Sequence, residues 1–160
     1  MDEIIDGYPL YIYCTSMTFQ FALFPLLCVF YIPKLYQVAF ISVMLKDFLV
    51  VTTDTVMNVH HTLCILFTIL FSSSQNVAII VTIGEVGSGA YNAYTLAKYY
   101  DSNVYCIYWF YAITMTLSNI YCFTGIYNIP DNRYLRNNMI FKLPLYTLLF
   151  MRQYYVHTIS

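Results

Sequence analysis

The stretch Asp54-Thr55-Val56-Met57-Asn58-Val59-His60-His61 opens a helical segment that continues without charge to Phe71, and its reading decides the fold. An Asp inside a membrane-spanning helix costs at least about 2.5 kcal/mol, so such residues face a bundle interior or a wet cavity. On one helix Asp54, Asn58 and His61 fall at i, i+4 and i+7 and form a polar stripe. Asp47 lies a heptad further back and joins the stripe if the helix is continuous. His60 is turned by about 100° from His61. The two imidazoles are therefore expected to point in different directions, one doing chemistry while the other orients it or meets another helix. A carboxylate near a histidine fixes its tautomer and raises its basicity, as a general base requires.

A second polar stripe follows one segment later, in Glu85-Val86-Gly87-Ser88-Gly89-Ala90-Tyr91-Asn92. Glu85, Ser88 and Asn92 stand at i, i+3 and i+7. Gly84, Gly87 and Gly89 permit close helix approach. The turn at Ser72-Ser73-Ser74-Gln75-Asn76 makes the two segments antiparallel neighbours, so both stripes are expected to face one cavity. Elsewhere, Thr116, Ser118 and Asn119 read as interhelical glue, worth about 0.6 kcal/mol per contact. His157 lies near a chain end and carries no role.

Working outward, six apolar segments emerge: about Tyr8–Ile32, Leu35–Val51, Asp54–Phe71, Val77–Ala97, Val104–Asn128 and Met139–His157. Each approaches the roughly 20 residues that cross a bilayer. The separators carry turn chemistry: Pro33-Lys34, Ser72 to Asn76, Asp101-Ser102-Asn103 and Ile129-Pro130-Asp131-Asn132-Arg133. Between the second and third segments, Thr53 or Asp54 is expected to cap the next helix. Arg152 is expected to end the sixth segment early or hold it at the interface. Lys34, Arg133, Arg136 and Lys142 fall on one side, and the positive-inside rule makes that side cytosolic. The acidic start Met1-Asp2-Glu3 does not fit a secretory signal.

Composition agrees. Of 160 residues, 60% are hydrophobic and 9% charged, against about 25% charged in a soluble domain, and the mean hydropathy is +0.62. Eighteen Tyr and one Trp, many near segment ends, suit interfacial anchoring. A net charge of −1 without any basic tract excludes nucleic acid as a partner. The five cysteines form no Cys-x-x-Cys pair and read as apolar packing residues. The fold expected is all-α: a single domain, residues 1–160, built as a polytopic bundle of about six transmembrane helices around a lipid-accessible cavity.

The run Lys46-Asp47-Phe48, then Asp54-x-x-Met57-x-x-His60-His61, then Glu85-x-x-Ser88 and Asn92, resembles the TLC domain found in ceramide synthases and smaller TLC-domain-containing proteins. The resemblance is specific from about Asp47 to Asn92. It implies a multi-pass protein of the endoplasmic reticulum, in contact with bilayer lipid and a lipid or sphingoid-base substrate. It further implies acyl transfer from acyl-CoA to a lipid amine, with acyl-CoA a substrate and no resident cofactor. His60 or His61 would be general base or transient nucleophile. Asp54 and Glu85 would support it, and Asp47, Asn58, Ser88 and Asn92 would contact substrate. Ceramide synthases carry His-Asp-x-x-Asp where this chain reads Gly84-Glu85-Val86-Gly87-Ser88, which is closer to the smaller family members. Two other readings share the residues: a non-catalytic lipid-binding regulator, and a small transporter relaying protons through His60, His61 and Glu85. An elongase box would need His where Met57 stands. No Gly-x-Ser-x-Gly elbow or phosphate loop occurs. A single metal at His60, His61 and Glu85 is conceivable from the donor types, but adjacent helical histidines diverge and no metal is assigned.

Overall fold

In the computed structural model, residues 3–50, 55–71, 74–129 and 139–158 are described. The chain enters through a short antiparallel hairpin, β1 (Ile4–Ile5) and β2 (Tyr8–Pro9), paired Ile4 with Pro9 and Ile5 with Tyr8. Its two-residue loop is Asp6-Gly7, with φ of 48° and 85°. Two left-handed residues in succession make the turn whose twist matches a hairpin, and Asp-Gly is a favoured pair for it. The amide of Leu10 closes on Glu3 O at 2.8 Å, and Tyr13 Oη donates to Ile5 O at 3.2 Å.

Six helices follow among the described residues. Helix α1 runs Leu10–Val29 and is α-helical except for a π turn at Phe19–Leu23. Then come α2 (Pro33–Val50), α3 (Thr55–Phe71), α4 (Gln75–Tyr99), α5 (Val104–Tyr127) and α6 (Met139–Thr158). Pro33 occupies the first helical position of α2, where its missing N–H costs nothing. The turn before α5 places Asp101 and Asn103 at φ of 49° and 48°, which Asp and Asn tolerate better than most side chains. The all-helical expectation holds, with boundaries shifted by a few residues. Tyr8 lies in the hairpin, and Gln75 and Asn76 belong to α4 rather than to the turn before it. Thr53 and Asp54, with the expected cap, lie outside the described residues, as do Ser72, Ser73, Arg133 and Arg136.

The closest pairing joins α4 and α5, because glycines let the backbones approach. A Cβ on Gly125 would lie 2.6 Å from Ile80 Cγ1, and one on Gly87 would fall on Ser118 Oγ. The main core gathers Phe24, Tyr36, Phe40, Ile80, Cys122 and Leu149, with Phe24 and Phe40 ring centroids 5.3 Å apart. A second core, around Ala90, Tyr94, Tyr111 and Met115, stacks Tyr94 on Tyr111 at 5.4 Å.

The outward faces are apolar. Along α5 the exposed side chains include Trp109, Phe110, Ile113, Leu117, Ile120 and Phe123, and Val104–Tyr127 contains no charged residue. Among the described residues, one helix, Leu10–Val29 at mean hydropathy 1.6, is long and apolar enough to cross a membrane, while Asn58–Leu70 is apolar but shorter.

Candidate functional site

One cavity of about 470 Å³, to which every helix contributes, is bordered by the whole second stripe and, of the first, by Asp47 and His61. Gln20 and Ser16 come from α1 and Asp47 from α2. His60 and His61 come from α3, and Glu85, Ser88 and Asn92 from α4. Tyr111 and Met115 come from α5 and Arg152 from α6. Apolar side chains, among them Ile12, Val43, Met44 and Leu148, line the rest. Its volume lies within the range of about 300–1,000 Å³ usual for small-molecule sites. Glu85 stands ten residues into α4, about 15 Å along its axis, so the site is near the middle of the bundle.

The two histidines do not diverge as expected. Their ring centroids are 5.5 Å apart, and both line the cavity. The inward direction of α3 falls between them, about 50° from each at 100° per residue. By the same arithmetic Asn58 points about 110° away from that direction. Asn58 accordingly borders a separate surface groove with Thr55, Val59, Thr62 and Leu63, which removes it from the substrate-contacting set.

His61 is buried, and its Nε2 lies 3.5 Å from Asp47 Oδ2. Lys46 Nζ is 3.2 Å from the other oxygen, Oδ1, and donates to Ser16 Oγ at 3.1 Å. Phe48 meets the His61 ring edge to face at 6.0 Å. Asp47, expected to contact substrate, lines the cavity and also lies against the His61 imidazole. A proton on Nε2 facing Asp47 leaves Nδ1 as the basic nitrogen. Asp54, the carboxylate expected in that supporting role, lies outside the described residues.

Glu85 is buried at the cavity wall. Gln20 Nε2 donates to its Oε2 at 3.0 Å, and Asn92 Nδ2 donates to Gln20 Oε1 at 3.1 Å. A chain of two hydrogen bonds thus orients the carboxylate. Ser88 lines the cavity beside it.

Three participants were not expected. Gln20 follows Thr15, Ser16 and Thr18 in an otherwise apolar run, and the π turn that aims it has no sequence mark. Arg152 does not end α6, which runs on to Thr158. It donates to Gly84 O at 2.8 Å and contacts Met115 Sδ at 3.0 Å, one residue from Glu85. Cys64, read as packing, lies 3.8 Å from His60 Nε2. The spacing of His60 and Cys64 at i and i+4 was the available signal. The other assignments agree better. Cys28 and Cys122 are buried, pairing with Thr82 Oγ1 at 2.9 Å and Ile80 O at 3.3 Å. Asn119 donates to Gln153 Oε1, and Gln153 donates to Thr116 Oγ1, both at 3.0 Å. That is the interhelical role read for Asn119 and Thr116, whereas Ser118 donates within its own helix, to Met115 O at 2.9 Å.

No family model, curated protein or solved structure matches this chain.

Proposed function

We propose that this chain is a multi-pass membrane protein of the TLC type, resident in the endoplasmic reticulum and acting in lipid metabolism. Its cavity takes the acyl chain of an acyl-CoA and delivers it to a lipid amine such as a sphingoid base. The observation that carries this reading is its inverted polarity. Ionisable groups from α2, α3, α4 and α6 converge on an interior chamber, while the outer faces carry large exposed apolar side chains. In water, contiguous apolar patches beyond a few hundred Å² are rare on a monomer; in lipid they are required. Among the helices that hydropathy alone does not select, α5 is rich in Tyr and Thr, which lower the index without adding charge, whereas α2 carries Lys34, Lys46 and Asp47.

In the reaction, His61 Nδ1 accepts the amine proton as that nitrogen attacks the thioester carbonyl. The C–S bond breaks, the amide forms, and the CoA thiolate leaves with the proton His61 held. Asp47 steadies the imidazolium through Nε2. Glu85 and Ser88 lie beside the path and can bind the substrate's polar head.

The test is turnover of labelled acyl-CoA and a sphingoid base by protein in lipid nanodiscs. Loss of a general base costs about 10²–10⁴-fold, so His61→Ala is expected to lose at least about a hundredfold. Unchanged turnover in that variant would remove His61 from the chemistry. A lipid that copurifies with wild-type protein showing no turnover would favour the lipid-binding regulator, which uses the same chamber. Alkaline extraction of membranes should leave the chain in the bilayer; its release into the supernatant would overturn the multi-pass reading.

A further inference from the structure

We propose that His60, Cys64 and Glu85 form a binding site for zinc, with its open coordination position facing the cavity. The inference leaves the Asp47–His61 pair of the acyl-transfer reading intact and shares with that reading only Glu85, there a contact for the substrate's polar head.

One nitrogen, one sulfur and one carboxylate oxygen from these residues all lie within 4.8 Å of one another. His60 and Cys64 are one turn apart on α3, and Glu85 reaches them from α4. Cys64 Sγ is 3.8 Å from Nε2 and 3.9 Å from Nδ1 of His60. In a tetrahedral site with Zn–S of about 2.3 Å and Zn–N of about 2.05 Å, the S···N edge is about 3.6 Å. The observed separation therefore needs only a few tenths of an ångström of closure. Sγ is almost equidistant from both nitrogens, so the imidazole must also turn about its ring bond to aim one lone pair at the ion.

The donor chemistry selects the metal. Thiolate with imidazole disfavours magnesium and calcium and suits zinc. Three protein ligands are the number found in catalytic zinc sites, which keep the fourth position for water or substrate. His60 and Glu85 both border the cavity, so that position opens inward. The outer shell is already built. Gln20 fixes one oxygen of Glu85 and Asn92 fixes Gln20, the support that metal-bound carboxylates require. Charge also balances. A thiolate and a carboxylate neutralise the dication, and the guanidinium of Arg152, held on Gly84 O beside Glu85, then favours an anionic fourth ligand such as hydroxide.

The experiment strips protein in detergent with a chelator, reloads it with zinc or cobalt(II), and measures bound metal by mass spectrometry. Wild type is expected to bind one equivalent. Its cobalt form should show a thiolate-to-cobalt charge-transfer band with tetrahedral ligand-field absorption. Cys64→Ser should abolish that band, and Glu85→Gln should weaken binding at least about tenfold. Gln20→Ala, which removes only outer support, should weaken it about 10- to 100-fold. Cys122→Ser and His61→Ala should keep the stoichiometry and the band. Should the ligand variants fail to fold, a second measurement needs none of them. In a Cys14→Ser/Cys106→Ser background, which removes the exposed thiols, zinc should slow maleimide labelling of Cys64. Wild-type cobalt protein without the charge-transfer band, a band that survives Cys64→Ser, or labelling indifferent to zinc would each overturn the site.

Discussion

Replacing Gln20 with Leu tests whether Glu85 is oriented by the hydrogen-bond chain or merely enclosed. The substitution removes the 3.0 Å bond to Glu85 Oε2 and the 3.1 Å bond from Asn92. A bond to a charged group is worth about 1.5–3 kcal/mol and a neutral one about 0.5–1.5 kcal/mol. Between membrane helices the average falls to about 0.6 kcal/mol per bond. Together these bracket the loss at roughly 1–4 kcal/mol. Glu85→Leu should cost a similar amount, since it leaves the buried Gln20 amide without its acceptor. The double variant removes both partners, and replacing both by apolar groups of similar shape is close to neutral. It is therefore expected to be more stable than the sum of the single losses by at least about 1 kcal/mol. The measurement is reversible unfolding in mixed micelles followed by circular dichroism, with chelator present so that no bound ion enters the cycle. Losses that add within about 0.5 kcal/mol, the behaviour of independent sites, would refute the coupling.

Two further outcomes follow from local geometry. Gly125→Ala would set a Cβ 2.6 and 2.7 Å from Ile80 Cγ1 and Cδ1. Such overpacking costs about 1–3 kcal/mol, and Ile80→Ala in the same chain should relieve it in the same unfolding assay. Tyr100 Oη donates to Glu3 Oε2 at 2.7 Å, and that hydrogen bond, with smaller help from burial and the Glu3 charge, pushes its pKa up to about 12. The contact therefore stabilises the fold fully below the free-tyrosine value of about 10 and is lost as pH rises through about 12; carbon-13 NMR titration of Tyr100 with and without Glu3→Gln checks it.

The helices were legible because their separators carry Pro, Asp, Asn and Ser between apolar runs. His60, His61, Glu85, Ser88 and Asn92 were legible because each is a polar group at helical spacing within an apolar run. Asn58 obeyed the same spacing rule and still faces away. Three points at i, i+4 and i+7 span a stripe, but they do not say which edge of that stripe faces inward. The packing of α3 against its neighbours decides that, turning the gap between the two histidines to the cavity. Gln20, Cys64 and Arg152 were not legible as site residues. Gln20 and Arg152 gain their meaning from a partner on another helix, the bond from Gln20 to Glu85 joining residues 65 positions apart, while Cys64 carried a local signal in its i, i+4 spacing from His60 that was passed over as packing. The Asp6-Gly7 pair did carry a local hairpin signal, masked by its nearness to the first apolar segment.

Why Gln20 reaches Glu85 at all is a matter of helical phase. The buried residues Ile12, Ser16, Gln20, Phe24 and Cys28 of α1 recur every four positions. In a regular helix, sixteen residues at 100° each would carry Cys28 about 160° away from Ile12, round to the opposite face. The π turn absorbs one extra residue, marked by the amide of Phe24 bonding to Phe19 O. Sixteen residues then advance the angle of about fifteen, and the drift falls to about 60°, within the apolar stripe of a packed helix. Deleting Ala22, an exposed residue inside that turn, should therefore restore regular α-helix while keeping both halves of the stripe inward. Deleting Val38, equally exposed on the regular α2, should rotate Phe40, Met44 and Asp47 by about 100° out of the core. The first variant is expected to elute as folded protein and retain the Gln20–Glu85 coupling, and the second to aggregate. If both deletions aggregate alike, the π turn does not set the phase of α1, and the aim of Gln20 must come from elsewhere in the packing.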